Sequence, residues 1–286
     1  KLAYLNTAAM DTATVAIYCL TDDFLKTLGH REDVQAAMSD AEVITTALVA
    51  ARYFGGNFES ARESLHKPDL IPRMLSKSQF NRRLHRLTDL IVRLFEMLGQ
   101  CWKAQRRSED FLIDSFPVAC CDNIRIRRSR LYPLKDTEGA FRGYIASKRR
   151  FFYGVKAHLL TTSEGQPVEL VLTPGSHSDV RALDYFSYDL PEGATLYGDK
   201  AYNDYFVEDE LAAGAGVTLS PIRRTNSKRP VEQCVAFVQH YTRKAVETAG
   251  SLIERLLPKS IHAVTARRFE LKVVLFVLAY SITTGL

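Results

Sequence analysis

The sequence has no C-x-x-C pair, no apolar run long enough to span a membrane and no internal repeat. Each absence removes a class of protein. The five cysteines, Cys19, Cys101, Cys120, Cys121 and Cys234, are odd in number and scattered, which argues against a zinc site or a disulfide framework and predicts reduced thiols in a cytoplasmic protein. The most apolar segment, LKVVLFVLAYSI near the C-terminus, is shorter than the ~20 residues of a membrane span and predicts a buried helix instead. No secretory leader pattern opens the chain; Lys1 stands where a Met would, with Met10 as an alternative start. Low-complexity tracts are also missing, and 46% hydrophobic with 25% charged residues describes a folded globular chain.

The net charge of +5 is modest, but its distribution is uneven. Between Asn123 and Arg150 stand Arg125, Arg127, Arg128, Arg130, Lys135, Arg142, Lys148, Arg149 and Arg150, against only Asp136 and Glu138. A second cluster, Arg223, Arg224, Lys228 and Arg229, has no acid within it. Local cationic surplus of this kind is what contact with a phosphate backbone requires.

Hydrophobic periodicity divides the chain in two. Up to about Lys103, apolar residues recur at three- and four-residue spacing, which predicts helices. AEVITTALVAARYF is capped by Ser39 or Asp40 and stops at Gly55-Gly56. NFESARESL forms a shorter helix, and a long one runs from Ser76 or Ser78 through SQFNRRLHRLTDLIVRLFEMLGQCW. On that helix Lys77, Gln79, Asn81, Arg82, Arg83 and Arg86 suit a DNA-recognition helix of helix-turn-helix type. After the polar stretch Ala104 to Glu109 the period changes. FLIDSF, RFFYGVKAHLLTT, PVELVLTPG, ATLYGD and VTLSPI read as five strands, the second and third joined as a hairpin through Ser163-Glu164-Gly165-Gln166. SHSDVRALDYFSYDL, AYNDYFVEDELAAGAG and a long segment from Val231 to Leu257 read as helices. The expected fold class is α/β with α+β character: a helical, helix-turn-helix-like DNA-binding module over residues 1–105, then a mixed five-stranded sheet flanked by helices over residues 106–286, including the C-terminal helices.

Three acids stand where metal chemistry would want them. Asp114 lies in the first strand and Asp199 ends a later one, and in open α/β sheets ligands bind beyond the carboxyl ends of strands. Glu247 shares a helix face with Arg243 and Glu254, either as a solvated charge stripe or as a metal ligand beside a phosphate-binding arginine. Brought together, such carboxylates make a hard, oxygen-rich site suited to Mg²⁺ or Mn²⁺. Lys156 and His158 share a strand face and serve either as a surface pair or as DNA contacts. His177 and Asp179 read first as helix caps. Lys200 meets either a phosphate or water.

The stretches IDSFPVACCDNIRIRR, FRGYIASKRRFFYGVKAHLL, TPGSHSDVRAL, LYGDKAYND and RKAVETAGSLIERL resemble, in that order, the DDE-type transposases of bacterial insertion sequences. The resemblance implies an RNase H-like catalytic domain, with Asp114, Asp199 and Glu247 as the metal-binding catalytic triad holding two Mg²⁺ or Mn²⁺ ions. It also tips Lys156 and His158 toward DNA contact near the active site. The related pattern spaces a tyrosine, an arginine, the glutamate and a lysine along the last helix; this chain has His240, Arg243, Glu247 and Glu254 there, so Glu254 is the alternative third acid.

The function so implied is metal-dependent cleavage at transposon inverted-repeat ends and strand transfer into target DNA, by a protein of the cytoplasm and nucleoid that dimerises on paired ends and has no membrane partner. The double-stranded DNA would be held by Arg125, Arg127, Arg128, Arg130, Lys148, Arg149, Arg150, Lys156, His158, Lys200, Arg223, Arg224, Lys228, Arg229 and Arg243. The alternatives are an inactive DNA-binding remnant of a transposase and a metal-dependent nuclease without strand transfer. A two-carboxylate glycosidase would leave the arginine-rich segments without a purpose.

Overall fold

The computed structural model describes residues 2–33, 35–145, 148–259 and 261–285. Lys1, at the uncertain start, and Ala146 and Ser147, inside the GYIASKRR run, lie outside them. The described residues form two compact units: residues up to Met97 with Leu256–Lys259 and those from Glu270 on, and Leu98–Arg255 with residues 261–269.

The first unit is helical, with α1 (Leu2–Thr27), α2 (Asp40–Tyr53), α3 (Phe58–Leu65), α4 (Lys77–Arg86) and the larger part of α5 (Thr88–Gln105). Ser39 starts α2 through a reciprocal capping box with Glu42, which satisfies two backbone donors that a helix start would leave unpaired. Ser76 and Gln79 do the same for α4. α2 is buried on nearly every side, from Ala41 through Ala51, and α1, α3 and α4 pack around it. The long helix expected from Ser76 onward is divided at Leu87 into α4 and α5. Residues 66–76 separate α3 from α4, a longer connection than the short turn of a helix-turn-helix.

The second unit holds one mixed sheet of six strands. β1 (Asp110–Cys121) is followed by the short α6 (Leu134–Thr137), then β2 (Arg142–Ile145), β3 (Arg150–Thr162) and β4 (Pro167–Pro174). Next come α7 (Asp179–Ala182), β5 (Thr195–Gly198), α8 (Tyr205–Ala215), β6 (Thr218–Pro221), α9 (Gln233–Thr242) and α10 (Lys244–Leu256). α11 (Ala266–Gly285) follows, and from Glu270 on it belongs to the first unit. β3 pairs antiparallel with β1 along one edge and with β2 and β4, end to end, along the other, while β5 and β6 extend the sheet in parallel beyond β1. The mixed sheet with antiparallel strands first and parallel additions afterwards is the one expected.

β2 corrects the strand count from five to six. It is four residues long with Gly143 inside it, so its own sequence carries little strand signal. The glycine is required by close approach: a Cβ there would stand 2.3 Å from both the Gly175 carbonyl oxygen and the Phe152 ring. Gly154 has the same role where β1 bulges between Ala119 and Cys121, since its Cβ would meet the Val118 oxygen at 2.1 Å.

Alternation along β1 gives the sheet two apolar faces. Phe111 and Ile113 join Trp102, Leu160, Leu196, Tyr202 and Leu219 in one core. Residues 112, 114, 116 and 118 look the other way by period two, and on that side the Phe116 ring meets α10 at Gly250. α10 buries Val246, Ala249 and Ile253 at helical spacing. The helix expected over SHSDVRALDYFSYDL contracts to α7 and a following 3₁₀ turn, Leu183–Tyr185.

Candidate active site

Strand register brings the two aspartates together. Ile113 of β1 pairs with Gly198 of the parallel strand β5, so Asp114 and Asp199 follow at the same level on neighbouring strands, which run about 4.8 Å apart. Gly198 permits this fit, because a Cβ there would lie 3.0 Å from Ile113 Cγ2 and 3.3 Å from Tyr202. Asp114 Oδ1 accepts the Ser115 N–H at 2.8 Å. Asp199 caps the 3₁₀ turn that follows it, Oδ1 accepting from the Lys200 N–H at 2.6 Å. It is therefore a cap, as strand-end aspartates commonly are, and also a member of the cluster described next.

The third acid arrives on the helix that crosses the Asp114 face. The long helix expected from Val231 to Leu257 is divided into α9 and α10 at Arg243, yet the Glu247 N–H still donates to the Arg243 carbonyl at 3.2 Å, so the joint stays helical. From this joint the Arg243 guanidinium reaches all three acids. Nη2 lies 3.1 Å from Glu247 Oε1 and 3.9 Å from Asp114 Oδ2, and Nη1 lies 3.8 Å from Asp199 Oδ1. Its Nε is buried with no hydrogen-bond partner among the described residues.

One guanidinium among three carboxylates leaves a net negative site. Burial pushes the Asp114 carboxyl up from 3.8 to about 6, and Asp199 and Glu247 add to the rise, while the Ser115 N–H and Arg243 oppose it. A donor set of three carboxylates converging on one cation, with charge left over, fits a hard divalent ion. The carboxylates surround the guanidinium instead of closing on one another. Among the described residues the one group whose ligand atoms lie that close is His30, Glu32 and Asp40, in the helical unit. There Asp40 is already committed, one oxygen at 2.8 Å from His30 Nε2 and the other accepting from Arg83 Nε at 2.7 Å.

A layer of polar groups behind the acids was not anticipated. Asp179 is no cap: Ser178 holds the cap position of α7, and Asp179 Oδ1 accepts from Lys156 Nζ at 2.9 Å and from Ser115 Oγ at 3.2 Å. Lys156 also donates to the His177 carbonyl at 2.8 Å. These bonds fix Ser115, the residue whose N–H holds Asp114. Alternation turns Ser115 and Lys156 to the face opposite Asp114, the face that Lys156 shares with His158.

The expected DNA contacts divide. Arg125, Arg127, Arg128, Arg130, Lys148, Arg149, Arg150, Lys200, Arg224 and Lys228 are exposed. His158 is not available to DNA: its side chain is 0% exposed, with Nδ1 3.1 Å from the Tyr202 hydroxyl and Nε2 2.9 Å from Thr173 Oγ1. Lys156 is held internally by Asp179. The 223–229 loop is not acid-free in space, because α8 supplies the acids. Arg223 Nη1 and Nη2 donate to the two oxygens of buried Glu208 at 2.5 and 2.9 Å, and Arg229 pairs with both oxygens of Asp209 at 2.8 Å while stacking 4.8 Å over Tyr205. Arg243 points into the acids. His240 is exposed, and Glu254 lines a groove of about 280 Å³ together with Asp114, Glu247, Ser251 and Lys148.

The sheet, the two strand-borne aspartates and the helical glutamate thus bring three carboxylates around one guanidinium. The family model of the transposase DDE domain matches residues 105–257, more than half of the chain, and the chain belongs to that family, whose enzymes are metal-dependent. The chain is also similar to the piggyBac transposase in the cryo-EM structure of its synaptic complex with hairpin DNA, at 12% identity and a TM-score of 0.45 over 96% of this chain and 72% of that one. No curated protein matches it.

Proposed function

We propose that the protein is the transposase of a bacterial insertion sequence, cutting DNA at the inverted-repeat ends of its element and joining the freed 3′ ends to target DNA. The observation that carries this is the convergence of Asp114, Asp199 and Glu247 on the Arg243 guanidinium. Asp114, Asp199 and Glu247 would together hold two Mg²⁺ or Mn²⁺ ions. Bound there, the ions stabilise charge on the reacting phosphate oxygens and favour deprotonation of the attacking water or 3′-hydroxyl.

The residues of the chain do the rest. Asp114 and Asp199 are set by strand register and Glu247 by the buried face of α10, so the carboxylates are positioned before DNA arrives and little reorganisation remains at the moment of reaction. Arg243 offsets part of the charge of the three acids. The exposed arginines of 123–130 and the 148–150 turn, with Lys200, Arg224 and Lys228, would bear on the phosphate backbone outside the acids. Residues 1–105 would act as the DNA-binding module and residues 106–286 as the catalytic part. Paired-end chemistry calls for a dimer acting on DNA in the nucleoid and cytoplasm. No described helix is long and apolar enough to cross a membrane.

The test is strand cleavage and strand transfer on DNA carrying the element's own ends, with Mg²⁺. Asp114→Asn, Asp199→Asn and Glu247→Gln are each expected to abolish both products while retaining DNA binding. Full activity in any one removes that residue from the site, and cleavage without joined product makes the protein a nuclease.

A further inference from the structure

The hairpin of β2 and β3 leaves two large aromatic side chains uncovered. Tyr144 and Phe151 are opposed across the strands, with ring centroids 4.9 Å apart, and they remain 51% and 48% exposed. Arg142 stands 4.7 Å over the Phe151 ring. Lys148 and Arg149 before β3 and Arg150 at its start are all exposed, and no acid lies between Glu138 and Glu164 in the sequence.

The hairpin is built into the sheet. Gly154 N–H donates to the Phe141 carbonyl at 2.8 Å, Asn123 Nδ2 donates to the Phe151 carbonyl at 2.9 Å, and Gly143 allows close packing against Phe152. It also belongs to the site: Ile145 and Lys148 line the groove that takes in Asp114 and Glu247. Phe151 lies on β3, whose Leu159 is the register partner of Asp114, so Phe151, with Tyr144 opposite it on β2, stands on a strand that borders the acids.

We propose that Tyr144 and Phe151 form a stacking site for an unpaired nucleobase, on a strand whose phosphates run along the Lys148–Arg150 turn toward the acids. Exposed rings among cations suit single-stranded nucleic acid, because every base has a face to stack and every nucleotide a charge to neutralise. A closed duplex hides its base faces, so the rings engage DNA where a strand is open. The inference rests on the reading of the chain as a DNA-handling enzyme, and names the form of DNA that this part of the site takes.

The test compares binding of labelled oligothymidylate with binding of a duplex of equal length, in EDTA at fixed salt. In the Tyr144→Ala/Phe151→Ala double variant, single-strand affinity is expected to fall by at least about 5-fold, with the duplex changed less than about 2-fold. The Tyr144→Phe/Phe151→Tyr double variant, which keeps both rings, is expected to bind as wild type. Tyr144→Leu/Phe151→Leu keeps apolar bulk without the π face and replaces the alanine variant should that one not fold. Equal loss on both substrates, no loss on either, or a changed oligomeric state as the sole effect overturns the proposal. Because no metal or cleavage is involved, a protein that stacks single strands but never cuts DNA sinks the catalytic reading alone, and one that cuts without ring-dependent binding sinks only this inference.

Discussion

Asp114→Asn is predicted to stabilise the metal-free protein while destroying its activity. The carboxyl rises from 3.8 to about 6 chiefly because it is buried, and a tenfold change in a protonation equilibrium is about 1.4 kcal/mol, so ionising Asp114 in the folded sheet costs about 3 kcal/mol at pH 8. The folded state holds the proton more tightly than the unfolded one. Wild-type stability is therefore unaffected by Asp114 below about pH 4 and falls as pH climbs through 6. Asparagine keeps an acceptor for the Ser115 N–H and carries no charge, so the variant lacks this loss. The assay is urea unfolding between pH 4 and 8 in EDTA, followed by fluorescence of Trp102, the single tryptophan of the chain, which packs in the core beneath the sheet. The variant should match wild type near pH 4 and exceed it by about 2–3 kcal/mol at pH 8. Saturating Mg²⁺ should then raise wild type alone, by about 2.7 kcal/mol at a hundredfold excess over the dissociation constant. Equal stabilities at pH 8, or a difference that does not change with pH, would refute the placement of Asp114 as a half-buried, poorly solvated acid.

Two further predictions concern residues that sequence grouped together and the structure separates. Arg223→Ala is expected to cost about 3 kcal/mol of stability, because it leaves buried Glu208 with only the longer 3.3 Å contact to Arg229, whereas Arg224→Ala should change stability by less than about 0.5 kcal/mol and weaken duplex binding with a shallower salt dependence; denaturation and DNA titrations at several salt concentrations separate the two. His158, held neutral by burial, titrates near 4 where an ordinary imidazole does so near 6.5, so its contribution to stability is present above 6.5 and lost as pH falls toward 4. NMR of its ring should show no protonation at pH 5.5, and a titration near 6.5 would contradict its burial between Tyr202 and Thr173. Its effect is common to wild type and Asp114→Asn, so it drops out of their difference.

Local signals carried much of the fold. Ser39 with Glu42, Asn57 before α3 and Gly216 after α8 mark helix ends through side-chain caps and a left-handed residue, all set within a few positions of sequence. β3, its four-residue turn and β4 were legible because strand pattern and turn residues agree. What escaped depends on partners distant in sequence. β2 is a strand because β3 lies beside it and Gly143 lets the backbones approach. The break at Leu87 and the one at Arg243 interrupt patterns that remain helical in sequence. Arg223 and Arg229 looked free because their acids, Glu208 and Asp209, come from the helix before. His158 shares its residue type and spacing with a surface pair, and only the covering of that sheet face by Tyr202, with Thr173 beside it on β4, makes it a core residue.

The acids themselves were legible as strand-end and helical carboxylates; that Arg243 stands among them was not, since spacing along α10 gives a common face but not a direction. Asp179 looked like a cap for the same reason, and its bonds to Lys156 and Ser115 appear only when β1, β3 and α7 are assembled.

The central claim is that Asp114, Asp199 and Glu247 together hold divalent metal. Mn²⁺ titration of the metal-free protein, read by the loss of the free-ion electron paramagnetic resonance signal, tests it most directly. Wild type is predicted to bind, with Asp114→Asn, Asp199→Asn and Glu247→Gln each weakened by at least about 10-fold, and Arg224→Ala unchanged. Binding that survives all three substitutions, or that vanishes instead on substituting His30 in the helical unit, would contradict the account.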